Sequence, residues 1–138
     1  VLEGIGLRYL AHLDHLVLFL ENEKRAAGKA IDALGSSAQG LRLREFRAGD
    51  EATLERVVTD SYIDTLDCPL LGDLRTGKAA VEGYLANRDQ KHSWWFAEVA
   101  GEAIGCLLLW ERAPAIWELT YMGIIPSARG RKFGAVLL

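Results

Sequence analysis

Cysteine is scarce in this sequence, with two in 138 residues, and Cys68 and Cys106 form no Cys-x-x-Cys pair. That argues against a disulfide framework and a cysteine-built zinc site. Both thiols are expected to be reduced, with Cys106 packed as a small apolar residue. Histidine is nearly as sparse. His12 and His15 lie three apart, His92 stands alone, and no further ligand is placed to complete a metal site. Long apolar runs are missing too: a stretch such as Leu16 to Leu20 is far too short to cross a bilayer, and no secretory leader is visible. A soluble cytoplasmic protein is the expectation. Nor is there an excess of positive charge. Sixteen Lys and Arg against 19 Asp and Glu give a net charge of −3, which argues against a general binder of nucleic acids or acidic membranes.

What is present is core material. Half of the residues are hydrophobic, enough for one ordinary domain. The chain starts at Val1 and stops at Leu138 inside what reads as a continuing helix, so a fragment of a longer protein is expected. Leu16 to Leu20 has the continuous apolar character of a short strand near 15–20, and the charged, alanine-rich 21–34 suits a surface helix. Gly35-Ser36-Ser37-Ala38-Gln39-Gly40 then has linker composition, which places a boundary near residue 40. Residues 1–40 are read as an N-terminal extension and 41–138 as the domain.

Leu41 to Phe46 alternates like a half-buried strand, and Asp50 is placed to cap a helix whose inner face carries Leu54, Val57, Val58 and Ser61 or Tyr62. Thr65 to Pro69 should break it. A second helix is expected over Lys78 to Asn87, with Ala80, Val81, Tyr84 and Leu85 inward. Trp94 to Val99 and Ala103 to Trp110 read as strands joined by a hairpin at Ala100-Gly101-Glu102. Ala115 to Ile125, apolar on both faces apart from Glu118 and Thr120, reads as a third strand in the middle of the sheet. The four tryptophans are spread through the strands and are expected in the core.

The closing stretch carries the chemistry. After that strand come Pro126, a turn rich in glycine and cationic side chains, and the start of a helix. Such a turn aims unpaired backbone N–H groups and the positive end of a helix dipole at one place, a ready site for an anion. Alone, Arg129-Gly130-Arg131-Lys132 could be a solvated cationic turn. The strand and proline before it and Phe133-Gly134-Ala135 after it favour a binding loop.

The order of elements, with Ile124-Ile125-Pro126-Ser127-Ala128-Arg129-Gly130-Arg131-Lys132-Phe133-Gly134-Ala135, resembles the pyrophosphate signature of the GNAT superfamily of acetyl-CoA-dependent N-acetyltransferases. The resemblance implies an α+β fold: a mostly antiparallel sheet flanked by helices, with the C-terminal part of the fold lying beyond this chain. It implies acetyl-CoA as cofactor, held over Gly123, Ile124, Ile125, Arg129, Gly130, Arg131, Lys132, Phe133, Gly134 and Ala135. Backbone N–H groups from Arg129 to Ala135 would meet the diphosphate, Lys132 standing in helical dihedrals where the family has glycine. A strand bulge would fall at Gly123 to Ile125, with the N–H of Ile124 or Ile125 stabilising the reaction's developing negative charge. Glu118 matches the position of the catalytic glutamate in the histone-acetylating branch, and burial beside Trp and Met would raise a carboxyl's pKa toward that of a useful base; pairing with a cation across the sheet is the plain alternative.

The general acid is expected beyond Leu138. The resemblance implies an acceptor pocket near Tyr62, Asp64 and Asp67, with Thr65 and Cys68, whose acidic groups would hold a small-molecule or peptide amine; capping and closing a loop is the plain alternative. Gly4 to Tyr9 with 15–20 resembles the end of a preceding GNAT-like copy, or serves as a dimerisation element for a homodimer. The implied reaction is acetyl transfer to a primary amine. A CoA-binding module without efficient catalysis, and a small phosphate or nucleic-acid binding domain, are the competing readings.

Overall fold

Among the described residues, four strands and three helices follow from where the chain alternates and where it cannot. The structure is a computed structural model that describes residues 40–65, 76–87 and 91–137. The strand expected at 15–20, the helix at 21–34, most of the linker, and Asp67, Cys68 and Leu138 lie outside the described residues. Strand β1 (Leu41–Glu45) is followed by α1 (Glu51–Ser61), α2 (Gly77–Ala86), β2 (His92–Val99), β3 (Glu102–Ala113) and β4 (Ile116–Ile124). A short 3-10 turn (Pro126–Ala128) then leads to α3 (Phe133–Leu137). The strands pair antiparallel in the order β1-β2-β3-β4. The expected α+β class, antiparallel sheet with flanking helices, is what the structure shows.

The β2–β3 connection is tighter than the sequence suggests. Glu102 already pairs with Val99, leaving Ala100 and Gly101 as a two-residue turn with φ of 53° and 83°. Two positive values fit the right-handed twist of the flanking strands, and alanine accepts one of them at a cost. At the start of α1, Asp50 stands at the cap position, yet its side chain caps nothing. Its carboxylate takes the Arg47 N–H at 2.8 Å and the Arg44 guanidinium at 2.7 Å, and Arg44 also holds Glu98 at 2.6 Å. The hydrogen bond from Arg44 holds the Asp50 carboxyl below its ordinary pKa. Helix α2 starts one residue before the expected Lys78, because Thr76 Oγ1 accepts the Ala79 N–H at 3.1 Å.

Alternation along β3, broken once where Ile104 is an extra residue in the pairing with β2, divides the core between the two sheet faces. Cys106, Leu108 and Trp110 face α1 and α2, where Leu54, Val57 and Val58 are fully buried. Ile104 and Leu107 face the other way, against Ile125, Phe133 and Leu137. Trp94 and Trp110 are core residues as expected, whereas Trp117 is 41% exposed. Burial pushes the Cys106 thiol up to about 12, which leaves it inert as a nucleophile.

Strand β4 departs from expectation in two ways. Among the described residues it is the last strand of the sheet, not a middle one, and Ile116 and Leu119 are exposed along with Trp117. An apolar run on both faces is necessary for a central strand but does not make one. The bulge also lies elsewhere. Pairing is regular from Gly105↔Ile124 to Leu108↔Tyr121, then shifts so that Leu109 meets Leu119 and Thr120 is the extra residue.

Candidate functional site

The inner half of β4 is built around the absence of a side chain at Gly123. A Cβ there would sit 2.6 Å from Ser61 Oγ and 2.8 Å from the Tyr121 hydroxyl. Without it, the end of α1 settles directly onto the strand. Ser61, 4% exposed, donates its hydroxyl proton to Val58 O at 2.9 Å. Ser61 Oγ and Tyr121 OH are 2.6 Å apart, and because the serine proton is already committed, Tyr121 is the donor of that bond. The Tyr62 and Tyr84 rings stand 5.8 and 6.0 Å from the Tyr121 ring.

Beyond Ile124 the chain turns. The Ala128 N–H donates to Ile125 O and the Arg129 N–H to Pro126 O, closing the 3-10 turn, and the Ala135 N–H donates to Lys132 O. The expected donor series from Arg129 to Ala135 therefore loses both ends, whose protons serve the turn itself. Between them, the N–H groups of Gly130, Arg131, Lys132, Phe133 and Gly134 make no backbone bond to another described residue. Gly130 has φ of 75°, and a Cβ at Gly130 or Gly134 would meet nothing within 4 Å. There is room beside the backbone at those two glycines, and the five donors between the ends have no described backbone partner. Lys132 does not take helical dihedrals: its φ is 61°, a left-handed conformation in which the Cβ crowds the backbone. The Arg131 guanidinium lies 4.6 Å from the centre of the Phe133 ring. The Ile125 N–H donates to Ile104 O at 2.9 Å, so of the two groups considered for stabilising a developing negative charge, that of Ile125 is already used.

The Arg129 side chain does not reach over the turn. Its Nε donates to Ile124 O at 3.0 Å, and its Nη2 and Nη1 donate to Ser61 O and Asp64 O at 2.8 and 3.2 Å. Glu118 pairs in register with Trp110 and so shares the helix-facing side of the sheet. It does not have the dry surroundings expected for it: its side chain is 43% exposed and pairs with Arg112 of β3. That is the plain alternative raised by the sequence, a cation partner across the sheet. Tyr62 and Asp64 follow α1 directly, Asp64 with φ of 51°; Asp67 lies outside the described residues. No cluster of metal-binding side chains occurs among the described residues, and no described helix is long and apolar enough to cross a membrane.

The family model for the GNAT acetyltransferases matches residues 43–138 of this chain. The chain belongs to the GNAT family. One solved structure similar to it, from Desulfovibrio desulfuricans and described as an acetyltransferase of that family, is 19% identical with a TM-score of 0.48. The match covers 70% of this chain and 60% of that one, so the GNAT chain described here spans well under two thirds of that structure's length. No curated protein matches it.

Sequence reasoning did not single out Ser61, Tyr84 or Tyr121 as part of this GNAT site. A signal for Tyr121 was available, because it lies two residues from Gly123 and so on the same strand face. Ser61 left no such mark, since its importance comes from what packs on it.

Proposed function

We propose that this GNAT chain transfers the acetyl group of acetyl-CoA to a primary amine, giving an N-acetylated product and free CoA. The observation that carries the reading is the run of five N–H groups from Gly130 to Gly134, free of other described backbone partners, in a chain of this family. Converging backbone donors suit a diphosphate, which needs several at once and loses little entropy to hold them. Arg131 and Lys132, both exposed, add positive charge beside them. When bound, acetyl-CoA supplies a thioester carbonyl for attack by a neutral amine.

The residues of the chain then have the following work. Gly123 and Ile124 form the strand edge along which the cofactor arm lies. Tyr62 and Asp64 meet the amine after α1. The indole N–H groups of Trp94 and Trp110 and the Thr120 hydroxyl are buried with no partner among the described residues, and each suits an ordered internal water. Glu118 takes the proton that the amine must lose, through water, after release from Arg112.

Titration calorimetry with acetyl-CoA, followed by a thiol-release assay over a panel of amines, tests the reading. Binding with turnover of at least one amine supports it. Binding with no turnover on any amine supports the non-catalytic module instead, a reading that the Glu118–Arg112 pair favours. For the base, Glu118→Gln is expected to lower kcat about a hundredfold, the lower end for general-base loss, with acetyl-CoA affinity unchanged. Unchanged turnover across the pH range would remove Glu118 from the mechanism.

A further inference from the structure

We infer that Arg129 is a positioning residue that couples the cofactor turn to the acceptor side of the site, and is not itself a phosphate contact. The inference rests on the acetyl-CoA reading above. The cationic motif suggests a side chain aimed at the anion, but all the hydrogen bonds of this one run the other way. Its guanidinium bridges three main-chain carbonyls from two distant segments: Ser61 and Asp64 at the end of α1, and Ile124 at the end of β4.

The physics favours that arrangement. A helix leaves its last carbonyls without intrahelical partners, and its C-terminal end carries partial negative charge. Helix α1 has no basic residue in its own last turn, so the cation comes from elsewhere in the chain. A planar guanidinium with five donors can satisfy three carbonyls at once, which a lysine cannot do with the same geometry. One of those carbonyls belongs to Asp64, where the chain leaves α1 in a left-handed conformation that needs an external hold.

Arg129 also sits inside the turn, its own N–H bound to Pro126 O and its C-terminal neighbour Gly130 opening the free donor run. Any backbone adjustment at Gly130 to Gly134 on binding an anion is therefore passed to Ser61 and Asp64 through one rigid side chain. Asp64 is one of the two residues assigned to the amine, and Tyr62, the other, lies between it and Ser61. Binding of cofactor would order the acceptor side before the acceptor arrives.

Hydrogen exchange on the full chain, with and without CoA, tests this. The amides of Ile63 and Thr65, bonded to Asp60 O and Tyr62 O, report the end of α1. CoA is expected to slow their exchange at least fivefold in the wild type and less than twofold in Arg129→Gln, while slowing residues 130–134 in both. A purely structural role would speed exchange in the unliganded variant but leave the response to CoA intact, and that result overturns the inference. Loss of CoA protection at 130–134 in the variant overturns it as well, by making Arg129 a phosphate ligand. Should Arg129→Gln fail to fold, Arg129→Lys, which keeps the charge but not the fork, is expected to show the same loss of coupling. Failure of the acetyl-CoA reading looks different: no protection at 130–134 in the wild type. In that case no response to CoA exists for Arg129 to transmit, and the inference falls together with the reading.

Discussion

The two halves of β4 have similar apolar content and different surroundings. From Tyr121 to Ile124 the strand is half-buried, with Gly123 against Ser61 at the end of α1. From Ile116 to Leu119 its large apolar side chains stand in the open, and Trp117 is accompanied by Lys91 at 5.5 Å from its ring centre. The bulge at Thr120 divides the two. Cover along a strand is thus set by what packs on it, and the inner half is partly covered because a glycine admits a helix end.

The strongest test of that contrast is at the glycine. Gly123→Ala is expected to cost about 1–3 kcal/mol, the usual range for forcing atoms into a packed site, read as a lower midpoint in urea denaturation. A neutral result would mean that α1 does not press on β4. At Lys132, just beyond the inner half, replacement by glycine removes the left-handed strain and should raise stability by up to about 1 kcal/mol; a loss of stability would show that the lysine side chain makes a contact worth more than the strain. On the outer half, Leu119→Ala should change stability by no more than about 0.5 kcal/mol, as for surface substitutions generally. A cost several times larger would show that this half is covered in the folded protein, and would remove the distinction.

Much of the fold could be read from the residues because periodicity carries it. Leu54, Val57 and Val58 lie on one helix face, and Cys106, Leu108 and Trp110 alternate on one strand face. The antiparallel sheet and the strand-turn-helix at Pro126 could also be read, since proline, glycine and charge mark that turn directly. Three features could not. The bulge at Thr120 depends on the register between β3 and β4, which no local pattern records. The exposure of Glu118 depends on what packs over the outer half of β4, while its apolar neighbours suggest burial. The direction of the Arg129 side chain depends on carbonyls more than sixty residues away. In each case local chemistry named the residue and distant packing assigned its environment.

The tight Ala100–Gly101 turn has a kinetic meaning as well. It joins β2 to β3, and Pro114–Ala115 joins β3 to β4, so three of the four strands form a meander whose contacts are close in sequence. Closing such short loops costs little chain entropy, and hairpins form on a scale of about 1–10 μs. Strand β1 reaches β2 only across α1, α2 and their connections, and Leu41 pairs with Val99. Within the sheet the entropy of long-range closure falls at that one junction, which the Arg44–Glu98 ion pair spans.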